Sequence, residues 1–375
     1  MPRVVRTGIV ALLALLGAVL TCEASGDDTP WYAKITVNAF VSVSYNYNFN
    51  RPASGTNEYR VFDFDDNSFK FDLAEIVVQK SVSKPRDVGF RIDLAFGASV
   101  PRVVAAADPG RGEGGEQAAD VHQGFVSWVA PLGSGLRLDL GKFITQHGYE
   151  VIDGFDGYND NATRSFLFGY AIPFTHTGLR ASYAFNPKVS TMLMLVNGWD
   201  NAKDNNAGKT VGAQVALTPS EALSVFFNAM IGPERNDDNA DKRTMLDVST
   251  TWKTTTWLTL GLNLDRGTEQ NAPLSADVVR DVSWGGAALY AIVAVNSRFS
   301  LAARVEQFDD PDGWRTGTAQ RLREVTLTPA YRLGSHVVLR GDFRTDWSDA
   351  AVFGTADGGT THKQPTVYVN AVAVF

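Results

Sequence analysis

Apolar and polar residues alternate along most of this chain with a period of two. From position 35 the odd residues are Ile35, Val37, Ala39, Val41, Val43, Tyr45 and Tyr47, while the even ones are mostly Thr, Asn and Ser. Val88, Phe90, Ile92, Leu94 and Phe96 alternate in the same way with Gly89, Arg91, Asp93 and Ala95. Leu258, Leu260, Leu262 and Leu264 repeat the pattern, and so do Leu339, Gly341, Phe343 and Trp347 set against Arg340, Asp342, Arg344 and Asp346. Successive side chains of a strand point to opposite faces, so each segment predicts a strand with one apolar and one wet flank. Sixteen such segments can be traced, at roughly 34–47, 68–80, 87–97, 121–130, 135–143, 177–186, 188–198, 208–218, 222–232, 243–253, 256–267, 282–295, 298–308, 321–333, 335–347 and 364–375. Most exceed the roughly five to six residues of a globular strand. They suit the roughly nine to eleven that a tilted membrane strand needs. The second and fourth lose their alternation part-way, which points to a bulge or a misplaced boundary in each.

The connections alternate in length. One set is tight: 81–86, 131–134, 186–187, 219–220, 254–255, 296–297 and 334. The other is long and polar: 48–67, 98–120, 144–176, 199–207, 233–242, 268–281, 309–320 and 348–363. A soluble sandwich has no reason to sort its loops onto two rims. An outer-membrane barrel does, with short periplasmic turns and long extracellular loops. Backbone amides and carbonyls cannot stay unpaired in hydrocarbon, so a sheet in a membrane must close on itself. The expected fold class is all-β: a closed transmembrane antiparallel β-barrel of about sixteen strands, one domain over 25–375.

Residues 1–24 read differently. Arg3 and Arg6 precede an uncharged run from Thr7 to Cys22, and Cys22 and Ala24 offer small residues for cleavage. That is the arrangement of a secretory signal peptide, and it predicts export. With 22 Phe, 11 Tyr and 8 Trp the chain is too rich in large apolar side chains to be disordered. The single Cys excludes a disulfide framework and a thiolate metal site. A net charge of −7 without a basic stripe argues against nucleic acid as a partner.

Aromatic residues gather at the strand ends. Trp128, Tyr183, Trp252, Trp257, Tyr331 and Phe375 fall beside the short turns, and Tyr45, Tyr47, Trp284 and Trp347 fall at the opposite ends. Such amphipathic rings favour the headgroup zones, which predicts two membrane-interface girdles. The last strand is apolar at Val367, Val369, Ala371, Ala373 and Phe375. A terminal aromatic closing an amphipathic strand resembles the sorting signal read by the bacterial barrel-assembly machinery.

About eight strands fill their interior with side chains, whereas roughly sixteen to eighteen leave a water-filled channel. Parity turns Arg91, Asp93, Arg137, Asp139, Arg180, Arg304, Glu306, Arg340, Asp342 and Arg344 toward that interior, where water makes their charge inexpensive. The longest connection, 144–176, mixes apolar stretches such as 166–170 with charges. A purely solvated loop gives those stretches nowhere to pack. The expectation is that it folds into the lumen and narrows it, with Lys142, Arg164 and Arg180 among the eyelet charges; the alternative is an outer cap folded on itself.

Catalytic and metal chemistry finds no support. His122, His147, His176, His336 and His362 are scattered, without a zinc-ligand spacing. His122 and Ser127 are the nearest Ser/His pair in one strand, and a regular strand puts them on opposite faces. Asp309, Asp310 and Asp312, like Asp237, Asp238 and Asp241, lack the one-in-two spacing of a calcium loop. No enzyme, cofactor or metal is expected. The reading is a passive diffusion channel for small hydrophilic solutes or ions in the outer membrane of a Gram-negative bacterium. The alternative is a non-conducting barrel acting as adhesin, receptor or structural anchor. Lipid and lipopolysaccharide are the expected surroundings, and a homotrimer is expected by analogy with general porins.

Several stretches point to one family. Residues 45–52 (YNYNFNRP), Asp72-Leu73-Ala74-Glu75, Gly141-Lys142-Phe143, Gly148-Tyr149-Glu150, residues 173–178 (PFTHTG) and Val196-Asn197-Gly198-Trp199 resemble the OmpL-like putative β-barrel porin family. The similarity continues through Phe308-Asp309-Asp310-Pro311 and Asp346-Trp347-Ser348-Asp349. The resemblance implies an outer-membrane porin-like channel and transfers no binding residue, because the family carries no agreed solute. Where its members have Pro in the stretch 145–148, this chain has Gln146 or His147.

Overall fold

The computed structural model describes residues 30–101 and 119–375. The expected leader at 1–24 and its cleavage site lie outside the described residues. A 3-10 turn at Trp31–Lys34 belongs to an N-terminal unit that ends at Ile35, and Thr36–Phe375 form the second unit.

That second unit is a closed barrel of sixteen strands, each antiparallel to its neighbours. Its first half comprises β1 (Thr36–Asn48), β2 (Ser68–Lys80), β3 (Val88–Phe96), β4 (Ala119–Ala130), β5 (Leu136–Ile144), β6 (Thr175–Asn186), β7 (Val189–Val196) and β8 (Thr210–Ser220). Then follow β9 (Leu223–Gly232), β10 (Arg243–Lys253), β11 (Leu258–Ser275), β12 (Val278–Ala294), β13 (Phe299–Asp310), β14 (Gln320–Leu333) and β15 (Val337–Ser348). Two-residue strands β16 (Phe353–Gly354) and β17 (Thr360–Thr361) form a separate ribbon before the last wall strand, β18 (Lys363–Val374). β18 closes the ring on β1, with Phe40 opposite Val374 and Asn48 opposite Thr366. Ala39 and Phe375 exchange both backbone hydrogen bonds at 2.9 Å, so the last residue is stitched into the seam.

The wall obeys the alternation. Phe69, Leu140, Leu193 and Phe343 stand exposed on the outer face, while Asp93, Asp139, Arg304 and Asp342 are buried inside. A twelve-residue strand such as β13 spans ~40 Å at ~3.4 Å per residue, and a 45° tilt reduces that to ~28 Å, the thickness of a bilayer core. The apolar outer face thus has the span of a hydrocarbon core. Trp252, Trp257, Tyr331, Trp347 and Phe375 are exposed, and Tyr45, Tyr47, Trp128 and Tyr183 are half-buried.

Both irregular strands are bulged. The register of β1 against β2 slips at Asp72, and that of β3 against β4 slips at His122. Each bulge turns two successive residues inward, Asp72 with Leu73 and His122 with Gln123. This corrects the parity argument for His122 and Ser127: both are buried inside, because the extra residue restores a common face. They serve different carboxylates, His122 meeting Glu75 and Ser127 meeting Asp139.

Three other expectations are corrected. The segment 268–281 is not a loop: β11 and β12 run on as a hairpin to Ser275 opposite Val278. Beyond the hydrocarbon neither face needs to be apolar, so the alternation that marks a wall strand is absent there. Trp284 does not join a girdle. It shares the inward parity of Ala288 and Tyr290, and its indole occupies the space over Gly267 where a Cβ would lie 2.1 Å from the ring. Lys142 is not on the lumen face. It alternates with buried Phe143 and follows the outward parity of Leu140, and its ammonium donates to the Val121 carbonyl at 2.8 Å.

Candidate functional site

The connection 145–174 leaves β5 and reaches β13, the strand diametrically opposite in a ring of sixteen. Its hydrogen bonds to inward side chains trace the crossing. Tyr149 N–H donates to Asn263 of β11 at 3.0 Å, and Phe155 N–H donates to Glu75 of β2 at 2.9 Å. Asn161 donates to Thr328 of β14 at 2.7 Å, while the amides of Ala162 and Thr163 donate to Asp342 of β15 at 3.1 and 2.7 Å. Glu306 of β13 accepts the amides of Phe166 at 2.7 Å and Leu167 at 2.5 Å, where a single π-helical turn, Leu167–Ala171, begins. Those amides open a helical turn and have no partner within it, so a carboxylate is the natural acceptor.

Arginines of the wall complete the attachment. Arg304 meets Glu150 of the loop and Glu324 of β14, each at 2.5 Å, and donates to the Thr163 carbonyl at 2.7 Å. Arg340 meets Asp153 at 2.9 Å, and Arg164 meets the other oxygen of the same carboxylate at 2.8 Å. Burial opposes a charge on Asp153, yet these two guanidinium groups more than offset it and hold its carboxyl below the ordinary range. Arg344 donates to Asp346 at 2.7 Å and to the Arg164 carbonyl. Arg304, Glu306, Arg340, Asp342 and Arg344 are thus where inward parity puts them, but they lie under the loop instead of in open water. Arg164 is spent within the loop, with its Nε donating to the Val151 carbonyl at 3.1 Å.

Aromatic side chains fill the interior toward the long-loop rim. Phe166, Phe168, Ile172 and Phe174 of the loop pack with Phe143, Met194, Trp199, Trp284 and Phe308 of the wall and its loops. Trp284 crosses Trp199 edge-on at 6.2 Å and donates to the Ala171 carbonyl at 3.0 Å. Tyr149 stacks on Tyr290 at 4.2 Å. His147 sits at the root of the loop with both ring nitrogens unpartnered. Burial, with a smaller push from His176, drives its pKa down to about 3, so it is neutral at pH 7.

Among the described residues, two cavities lie toward the short-turn rim. One, of about 250 Å³, is lined by Lys80, Arg91, Phe125, Ser127, Arg137, Asp156 and Arg180 among others. The second, of about 270 Å³, is lined by Tyr149, Glu150, Tyr158, Asp160, Thr251 and Tyr290 among others. In the first, Asp139 joins Arg137 at 2.8 Å to Arg180 at 2.9 Å, and Asp93 holds Arg91 at 2.8 Å.

The family comparison decides what such a barrel is. Residues 34–375 match the family described as putative beta-barrel porin-2, OmpL-like. The chain belongs to this porin family. Among curated proteins no sequence matches at a significant level. The outer membrane channel DcaP of Acinetobacter baumannii matches with a TM-score of 0.60 at 12% identity, over 91% of this chain and 97% of its own. An anion-selective porin from Comamonas acidovorans matches with the same score and identity, over 91% of this chain and 99% of its own. The trimer form of OmpT of Vibrio cholerae matches at 0.55 and 11% identity, over 91% of this chain and 99% of its own. At such identities the likeness is one of fold. Family and fold together make the chain an outer-membrane porin and point to a channel rather than an enzyme.

Several residues of this porin that hold the loop were not legible in its sequence. Glu150 and Asp153 lie in a segment without period, and Glu75 acquires its partner through the bulge at His122. Glu324 shares the inward parity of β14, a signal that could have found it. Glu75, Asp93 and His122 bring ligand-type atoms within 4.8 Å of one another. Each is already engaged: Glu75 accepts from Phe155 and meets His122, and Asp93 accepts from Arg91 and from Gln123 at 2.6 Å. A guanidinium on Asp93 offsets the charge that a cation would need, so the set fits a loop anchor better than a metal site.

Proposed function

We propose that the chain lets small hydrophilic solutes and ions diffuse passively across a Gram-negative outer membrane, through a lumen narrowed by residues 145–174. The observation that carries this reading is the crossing of the loop from β5 to β13, β14 and β15, with water-sized space left beneath it. Arg91, Asp93, Arg137, Asp139 and Arg180 are the charges that solutes meet, and Arg304, Glu306, Arg340, Asp342 and Arg344 set how far the loop reaches. The short turns face the periplasm, and lipopolysaccharide meets the long loops. A homotrimer is part of the proposal, supported by the trimeric OmpT relative.

Conductance of the refolded protein in a planar bilayer tests it. Deleting residues 150–170 should raise the single-channel conductance, and an unchanged value rejects the loop as the constriction. The aromatic filling favours one second reading, a barrel closed to solutes that acts as adhesin, receptor or anchor. A silent wild-type protein whose 150–170 deletion conducts would select that reading.

A further inference from the structure

The two cavities beneath the loop differ in charge, and the difference identifies a solute class. The first is lined by four cationic side chains, Lys80, Arg91, Arg137 and Arg180, against one carboxylate, Asp156. The second carries two carboxylates, Glu150 and Asp160, and no cationic side chain. We propose that the first cavity is the anion-selecting segment of the pore, and that Arg137 and Arg180 are the groups an anion meets. This rests on the diffusion reading above and adds the sign of the solute to it.

The argument concerns donors that remain unspent. Lys80 is held by Asp87 at 2.9 Å, and Arg91 lies between Asp93 at 2.8 Å and Asp156 at 2.6 Å. Arg137 and Arg180 instead share one carboxylate. Asp139 accepts Arg137 Nε through one oxygen, and Arg180 Nε at 3.2 Å and Nη2 at 2.9 Å through the other. Two positive charges therefore lean on a single negative one, and that carboxylate is buried behind them. Arg137 adds a long contact to Ser127 at 3.4 Å, which leaves Nη1 of both arginines without a protein partner among the described residues.

Orientation favours the same use. The Arg180 guanidinium lies over the Phe143 ring at 4.4 Å, so its face is covered and its edge carries the N–H groups. Arg137 is 42% exposed in its side chain, against complete burial of Arg304 and Arg344 under the loop. A planar guanidinium with a free edge suits carboxylate and phosphate oxygens, which accept parallel N–H donors. The chemical class is thus small solutes bearing a carboxylate or phosphate, with chloride as the simplest member.

The test is the reversal potential of the full-length refolded protein in a tenfold potassium chloride gradient. The wild-type channel should pass chloride along this route, and each charge removed from the cavity should change the chloride-to-potassium permeability ratio about two- to threefold, from the Coulomb energy of unit charges several ångströms apart in water. Arg137→Gln and Arg180→Gln should lower the ratio, and the double variant should lower it further. Arg180→Gln strips Asp139 of a partner, so Asp156→Asn provides the variant that spares the wall. That carboxylate is half exposed, and its loss should raise the ratio by a similar factor. A conducting channel whose reversal potential ignores all three substitutions overturns the anion assignment and leaves the diffusion reading standing. A wild-type protein without conductance removes the diffusion reading itself.

Discussion

Replacing Asp342 by Ala should unlatch the loop while leaving the wall intact. The carboxylate accepts from the Ala162 amide at 3.1 Å, the Thr163 amide and hydroxyl at 2.7 Å each, and the Thr328 hydroxyl at 2.7 Å. Three of those four bonds join loop to wall. Hydrogen bonds to a charged group contribute ~1.5–3 kcal/mol each, and neighbours sharing one acceptor do not add fully. A latch of about 4 kcal/mol follows, equal to roughly a thousandfold in the balance between seated and released loop. Arg164 reports on that balance. It is buried, with its guanidinium on Asp153 and on the Ala162 carbonyl, so trypsin reaches it only when the segment lifts. Limited trypsinolysis of the refolded protein should therefore show cleavage after Arg164 at least about a hundredfold faster in Asp342→Ala. The heat-resistant migration of the folded barrel should not change, because β15 keeps its backbone ladders to β14 and β18. Equal protection of Arg164 in both proteins, with the barrel folded, would refute the latch.

Two further substitutions probe other parts of the fold. The pKa of His147 is depressed from its ordinary 6.5 to about 3, so the released loop binds its proton more readily than the seated one, and the seating weakens as pH falls through that window. At pH 4.5 the loss from His147 is roughly 3 kcal/mol, and the acid-induced gain in hydrogen exchange of the 145–174 amides should be smaller in His147→Gln. A loop equally protected at pH 7 and 4.5 would contradict the burial argument. Gly141→Ala should lower the temperature at which the folded barrel loses its compact migration, since φ is +145° there and a Cβ would stand 2.1 Å from the Gly124 carbonyl oxygen. An unchanged transition would show that β4 and β5 can separate locally without cost.

The wall was legible because membrane chemistry writes it residue by residue. β10 was expected at 243–253 and is found at Arg243–Lys253, since lipid on one flank and polar groups on the other enforce strict alternation. The same rule failed where the hydrocarbon ends. The outer half of the β11–β12 hairpin breaks the alternation, with Val278 and Val279 adjacent and exposed, and its residues Glu269, Gln270 and Asn271 read as a loop. Lys142 has the charge of a pore residue, but its parity with Leu140 turns it outward. Trp284 has the type of a girdle residue, but its parity with Ala288 turns it inward. Parity outweighs residue type in both cases. The attachment of the loop was hidden for a different reason, because Arg304 and Glu150 stand 154 residues apart and meet only once the ring has closed.

The charges under the loop change how a porin lumen should be understood. In open water ten inward charges would cost little and would act mainly on passing solutes. Here Arg304, Arg340 and Arg344 are withdrawn from water and matched by Glu150, Glu324, Asp153 and Asp346. A buried ion pair adds little net stability over an apolar contact, but removing one partner costs ~3–5 kcal/mol because a bare charge is left behind. Such pairs penalise every alternative position of the loop more than they deepen the native one. The aromatic cluster supplies non-directional attraction toward the long-loop rim, and the ion pairs fix the depth and register at which the segment stops. Charge matched in this way is spent on position and exerts little field on a solute. The field that remains belongs to the side of the lumen that the loop leaves open, where Arg137 and Arg180 share a single carboxylate. On the reading proposed above, one division of charged side chains sets both the width of the passage and the sign of what it favours.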